Sequence, residues 1–212
     1  VGIVRWAVSE NPEHIEIGIQ QLASHAIAAE VIRPPEDETG NLSALISLTV
    51  DGGAGNDRIL GGNGVDLLLG GDGNDFIDGN QGNDVAFLGA GEDAFQWDPG
   101  DGSDVVEGQD GNDRMVFKGS NGDEIFQVSA NGSRAVVTRN LGNIVMDLNS
   151  VEVIDLAALG GADTLTVNDL SGVVRQVNVD LAGTIGGTAG DGAADTVIAN
   201  ATNGNDAINV TG

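Results

Sequence analysis

The chain has 212 residues and a formal charge of −25, from 33 Asp plus Glu against 8 Lys plus Arg, with 34 glycines and no cysteine. A surface this negative repels phosphate backbones and anionic lipid headgroups, so nucleic acid and the membrane surface are excluded as first-choice partners and cations are favoured. The absence of cysteine excludes disulfides, thiol nucleophiles and Cys-based zinc sites, and no apolar run reaches the roughly 18 residues of a membrane helix. Aromatics at 3% argue against a conventional aromatic-rich core, while 40% hydrophobic residues argue against simple disorder.

The chain opens on Val1 without a signal-peptide pattern and reads as a fragment or processed product. Residues 1–50 form an expected N-terminal cap and linker. His14 to Ile19 alternates like a strand, Gln20 to Ile32 (QQLASHAIAAEVI) has the composition of a helix, and Pro34-Pro35 followed by Glu-Asp-Glu marks a linker. A cap of this kind suits a stacked β architecture, whose first coil otherwise offers an unpaired edge. His14 and His25 lack a third ligand and read as ordinary boundary residues rather than a metal pair.

Residues 51–113 hold 15 acids, one base (Arg58) and 17 of the glycines, a net charge of 1 − 15 = −14. The reason is a period of nine. The blocks are GGAGNDRIL from Gly52, GGNGVDLLL from Gly61, GGDGNDFID from Gly70, GNQGNDVAF from Gly79 and LGAGEDAFQ from Leu88; after Trp97 and Asp98 shift the register by two, PGDGSDVVE follows from Pro99 and GQDGNDRMV from Gly108. The fourth position is always glycine and the sixth always aspartate, and the eighth reads Ile59, Leu68, Ile77, Ala86, Phe95, Val106 and Met115. Each block is therefore expected to make a six-residue turn and a three-residue strand whose middle side chain faces inward. Two blocks per coil bury that apolar column between two parallel sheets and superpose alternate turns. Asp57, Asp75, Asp93 and Asp113 then form one row, and Asp66, Asp84 and Asp104 the other. The two-residue insertion keeps this alternation but is expected to bulge one turn.

Carboxylates stacked at the strand spacing of about 4.8 Å repel one another unless a cation lies between them. The donors on offer are carboxylate and carbonyl oxygens, which suit calcium better than zinc or copper. Three gaps in one row and two in the other predict about five ions.

The blocks GGAGNDRIL, GGNGVDLLL and GGDGNDFID resemble the nonapeptide of RTX, or haemolysin-type, calcium-binding repeats. The resemblance covers residues 51–113 and implies an all-β, right-handed parallel β-roll or β-solenoid. It also implies that carbonyls at positions two and four plus the aspartate of one turn hold each ion together with carbonyls at positions one and three plus the aspartate of the next stacked turn. Carried over, the first ion takes Gly53, Gly55, Asp57, Gly70, Asp72 and Asp75, and the second Gly62, Gly64, Asp66, Gly79, Gln81 and Asp84. The third takes Gly71, Gly73, Asp75, Leu88, Ala90 and Asp93. The fourth takes Asn80, Gly82, Asp84, Pro99, Asp101 and Asp104, and the fifth Gly89, Gly91, Asp93, Gly108, Asp110 and Asp113. Asn80, Leu88 and Pro99 depart from the family glycines, and the insertion falls just before Pro99.

Domain boundaries are read as 1–50 for the cap, 51–117 for the calcium-binding β-roll and 118–212 for a degenerate β-solenoid continuation, with a separate small β-sandwich as the alternative for the last segment. In that segment, runs such as Ala135 to Thr138, Ile144 to Leu148, Val151 to Leu156, Thr164 to Val167, Val173 to Leu181 and Thr196 to Ile198 read as strands. Echoes of the repeat at Asp163, Asp195 and Asp206 are more simply turns than further calcium sites. No G-x-S-x-G elbow, H-E-x-x-H, Walker loop, G-x-G-x-x-G or EF-hand pattern is present, so catalysis within the chain is not expected; Asp98, the acid least explained by the period, reads as a turn residue. The functional expectation is a calcium-stabilised structural or assembly module of a secreted or cell-surface protein. The resemblance implies folding on calcium after export by type I secretion machinery. The alternative is a noncatalytic appendage of a secreted hydrolase, protease or polysaccharide-modifying enzyme, and an open solenoid end offers a route to self-association.

Overall fold

A computed structural model describes residues 3–6, 14–20, 30–32 and 49–202. Near the N-terminus β1 (Ile3–Trp6), β2 (His14–Gln20) and β3 (Glu30–Ile32) pair as a small antiparallel sheet. The alternation at His14 to Ile19 is thus a strand. Both ends of the segment with helical composition, Gln20 and Glu30–Ile32, are strand as well, and its middle, 21–29, lies outside the described residues together with His25, the Pro34-Pro35 linker and Asp206. Among the described residues there is no α-helix, and none is long and apolar enough to cross a membrane.

The remainder is a parallel β-roll of two sheets. Strands β4 (Thr49–Ala54), β6 (Leu67–Asp72), β8 (Val85–Gly91) and β10 (Val105–Gly111) stack in one, and β5 (Arg58–Asn63), β7 (Phe76–Gln81), β9 (Ala94–Trp97) and β11 (Arg114–Lys118) in the other, all pairs parallel. The pairing joins residues 18 apart, as Leu67 with Val85, until Trp97; beyond it Val85 faces Val105, 20 apart. The two-residue insertion is absorbed by a turn in which Asp101 N–H donates to the Asp98 carbonyl, so no strand flips its faces. Most strands are longer than the three residues expected, because pairing continues from positions seven to nine of one block into positions one to three of the next. Every eighth-position side chain is buried, from Ile59 to Met115.

After β11 the two sheets grow unequally. β12 (Ile125–Asn131), β13 (Arg134–Arg139) and β14 (Ile144–Asn149) form an antiparallel meander, with β14 parallel to β10 and β12 parallel to β16 (Thr164–Val167). A 3-10 turn at Leu141–Asn143, with Gly142 at φ 78°, joins β13 to β14. The opposite sheet gains only β15 (Val153–Ala157) and β17 (Gln176–Asp180), and β18 (Thr196–Ala199) ends the first sheet, giving nine strands against six. The expected runs all contain strands, but a purely parallel continuation does not hold: β12 and β13 wedge one sheet open. Larger side chains fill the widened core there. Trp97 stacks on Phe117 at 4.2 Å between ring centroids, and Phe117 meets Phe126 edge-on at 6.1 Å.

Candidate metal centre

The turns from the long sheet to the short one carry Asp57, Asp75, Asp93 and Asp113, and those on the opposite edge carry Asp66, Asp84 and Asp104. The first requirement of these turns is backbone shape. At the second position of every block φ is positive: 88° at Gly53, 143° at Gly62, 105° at Gly71, 58° at Asn80, 112° at Gly89, 118° at Gly100 and 72° at Gln109. Glycine adopts this region without cost. Asn80 adopts it with help from the Asp78 carboxylate, which accepts its N–H at 3.0 Å. Gln109 is a departure that the sequence reading did not single out.

The aspartates, all buried except the half-buried Asp57, are linked in series. Asp57 N–H donates to Asp75 Oδ1 at 2.8 Å, Asp75 N–H to Asp93 Oδ1 at 2.7 Å, and Asp93 N–H to Asp113 Oδ1 at 3.0 Å. On the other edge Asp66 N–H donates to Asp84 Oδ1 at 2.8 Å and Asp84 N–H to Asp104 Oδ1 at 2.9 Å. Fifth-position asparagines run a parallel ladder outside, from Asn74 N–H to Asn56 Oδ1 at 2.9 Å and from Glu92 N–H to Asn74 Oδ1 at 3.0 Å.

From the second aspartate of each row onward, each carboxylate thus spends one oxygen on the preceding coil. The second oxygen of Asp57, Asp75, Asp84, Asp93 and Asp113 is buried without a hydrogen-bond partner. An ionised carboxylate in that condition is expensive unless a cation satisfies it. Burial pushes Asp84 up to about 6 and Asp104 and Asp113 to about 7, with donation from the stacked backbone N–H opposing the rise and repulsion from neighbouring acids adding to it. Asp75 and Asp93 are raised for the same reasons.

Carbonyl oxygens converge on the same places. A Cβ built on Gly52 would lie 2.6 Å from the Gly70 carbonyl oxygen and 2.9 Å from Asp57 Oδ2; on Gly61, 2.5 Å from the Gly79 oxygen and 2.9 Å from Asp66 Oδ2; on Gly70, 2.0 Å from the Leu88 oxygen and 2.6 Å from Asp75 Oδ2. First-position glycine therefore keeps a small space where an aspartate oxygen meets a carbonyl of the next coil. At Gly79 the three nearest atoms all belong to Asp84, so the Pro99 carbonyl is drawn away beside the insertion. At the first position of the fifth block Leu88 replaces glycine, and its side chain is fully buried in the apolar core. Third-position carbonyls of Asp72, Gln81 and Ala90 each accept an N–H from the fourth-position glycine of the preceding coil at 2.7 to 2.8 Å, which leaves a second lone pair.

Among the described residues no three His, Cys, Asp or Glu side chains converge as a metal-holding group. The donor set instead pairs two aspartates with main-chain carbonyls, hard oxygens in a flexible cage that fit calcium. Asp98 accepts from Lys118 Nζ at 2.8 Å and anchors the inserted turn, consistent with its reading as a turn residue.

The family model of the RTX calcium-binding nonapeptide repeat matches the chain in four copies, over residues 49–68, 60–95 and 100–123. No curated protein matches the chain. With the stacked aspartate turns and the β-roll around them, the segment between residues 49 and 123 is a run of RTX calcium-binding nonapeptide repeats.

Proposed function

We propose that this chain is a calcium-dependent, noncatalytic structural module of a secreted or cell-surface protein, exported unfolded through a type I channel and folding where calcium is abundant. The observation that carries this reading is the column of buried aspartate oxygens without protein partners, set against first-position carbonyls. The five expected ligand sets, from Gly53, Gly55, Asp57, Gly70, Asp72 and Asp75 to Gly89, Gly91, Asp93, Gly108, Asp110 and Asp113, are the proposed sites. Bound calcium supplies neutralisation of the carboxylates and cross-links between coils.

The glycine turns hold the carbonyls in place and the aspartates tie each coil to the one before. Without neutralisation the segment of charge −14 repels itself and buries little. At free calcium about ten times the dissociation constant each site adds about 1.4 kcal/mol, and five add about 7 kcal/mol, comparable with the stability of a domain. Circular dichroism of the chain in chelator and in millimolar calcium tests the proposal. β-structure should grow on adding calcium, and identical spectra would refute calcium-coupled folding.

A further inference from the structure

We propose a further divalent-cation site beyond the last nonapeptide, where the Asp113 turn stacks against Ser150–Glu152. It rests on the reading of the stacked aspartate turns as calcium sites. Strand register sets Glu107 against Asn149 and Arg114 against Val153, so Ser150 takes the place of a first-position residue and Glu152 that of the sixth-position aspartate. No repeat pattern marks these residues. The stretch Gly108–Asp113 has six residues and its counterpart Ser150–Glu152 only three, so the turn is cut short and a glutamate, one methylene longer than aspartate, reaches back.

That reach is realised: Glu152 Oε2 accepts the Asp113 N–H at 2.8 Å, as each aspartate does for the coil before it. Asp113 is fully buried, and its Oδ2 has no hydrogen-bond partner. A Cβ built on Gly108 would lie 1.7 Å from the Ser150 carbonyl oxygen and 2.7 Å from Asp113 Oδ2, the same convergence seen at Gly52, Gly61 and Gly70. Ser150 presents its carbonyl from a left-handed conformation, φ 51°. By register the donors are the carbonyls of Gln109, Gly111 and Ser150 with the carboxylates of Asp113 and Glu152. The shortened turn has no third-position carbonyl, so water completes the six to eight oxygens that calcium takes. The nearest base in register, Arg175, places its guanidinium on the side chain of Asn112.

Two measurements on the full chain decide this. Native mass spectrometry in saturating calcium should count one ion fewer for Glu152→Gln than for the unaltered chain. An anomalous difference map of the calcium-bound, unaltered chain should show a peak about 2.3–2.6 Å from Asp113 Oδ2 and the Ser150 carbonyl, and it decides the matter if the variant does not fold. Peaks between Asp57 and Asp75 with none above Asp113, or an unchanged ion count in a folded Glu152→Gln, would overturn this site while leaving the repeat sites intact. No ions anywhere would overturn the calcium reading itself, and this site with it.

Discussion

Between residues 51 and 113 one base, Arg58, accompanies 15 acids, and its guanidinium lies over the Phe76 ring at 4.4 Å. The coils that follow bury carboxylates on the same ladder, and Glu124 there has a cation from the chain, whereas Asp163 Oδ2 is buried without a hydrogen-bond partner, like the row aspartates. Glu124 N–H donates to Asp163 Oδ1 at 2.8 Å and Asp163 N–H to Asp195 Oδ1 at 3.0 Å, repeating the pattern of the aspartate rows. Here the buried Glu124 carboxylate pairs with Arg139, whose guanidinium also reaches the Leu141 carbonyl and the Ser120 hydroxyl. Arg134 bridges Glu107 and Asp147 on the same sheet at 2.7 and 2.6 Å. One coil geometry therefore accepts two kinds of counter-charge, an ion from solution or a guanidinium from the chain, and only the first makes folding conditional on the surroundings.

The largest expected effect follows from removing metal. In chelator near pH 7.5, hydrogen exchange should show loss of protection across β4 to β11 while β12 to β14 and β16 keep theirs. Simultaneous loss in both regions would mean that the arginine-neutralised coils cannot stand without the others, and the contrast would collapse. Next in size is Arg139→Met, which strands a buried carboxylate and should cost about 3–5 kcal/mol even in saturating calcium. Replacing Glu124 and Arg139 together with leucine should restore most of that, measured by urea denaturation, because an apolar pair leaves no unpaired charge.

Asp75 belongs to two of the proposed calcium sites and Asp57 to one. At calcium about tenfold above the dissociation constant Asp75→Asn should cost about 3 kcal/mol and Asp57→Asn about half of that, by denaturation in calcium. Equal losses would argue against shared ligands along the row.

The smallest effect is on pH. Asp84, at about 6, and Asp104 and Asp113, at about 7, stand above the ordinary 3.8 because burial disfavours their charged forms. The folded chain then holds protons that the unfolded chain has released. Their contribution is complete below about pH 3.8 and is lost as pH rises through 7. In chelator, hydrogen-exchange protection of β4 to β11 should accordingly be greater at pH 5.5 than at pH 7.5. In calcium the dependence should weaken or reverse, since protons and the ion compete for the same oxygens.

The period of nine makes most of the β-roll legible in the sequence: the buried column from Ile59 to Met115, the two aspartate rows and the survival of register across Trp97 and Asp98. Repetition made these legible because each coil poses the same packing problem. The wedge of β12 and β13 has no period, and its strand IFQVSAN pairs antiparallel with a neighbour chosen by tertiary packing around Trp97, Phe117 and Phe126. Glu152 was hidden for a related reason. Its turn has lost the glycines that announce the others, and only the register of β14 and β15 brings it beside Asp113. Comparing second positions alone exposes Gln109, a residue with a side chain where six other blocks have glycine or asparagine.

The hydrogen-bonded ladder has a direction. In every step onto a carboxylate the donor lies on the earlier coil and the acceptor on the later one, from Asp57 to Asp75 through to Asp113 and Glu152, whereas the outer asparagine ladder runs the other way. The two ends of the stack are therefore not equivalent. Trimming coils from the start leaves a surplus acceptor, which water solvates with ease. Trimming from the end strands an amide donor and removes the oxygen that finished the coil beneath it. Each coil is therefore complete only once its successor is in place, and the stack depends on the segment that closes its C-terminal end.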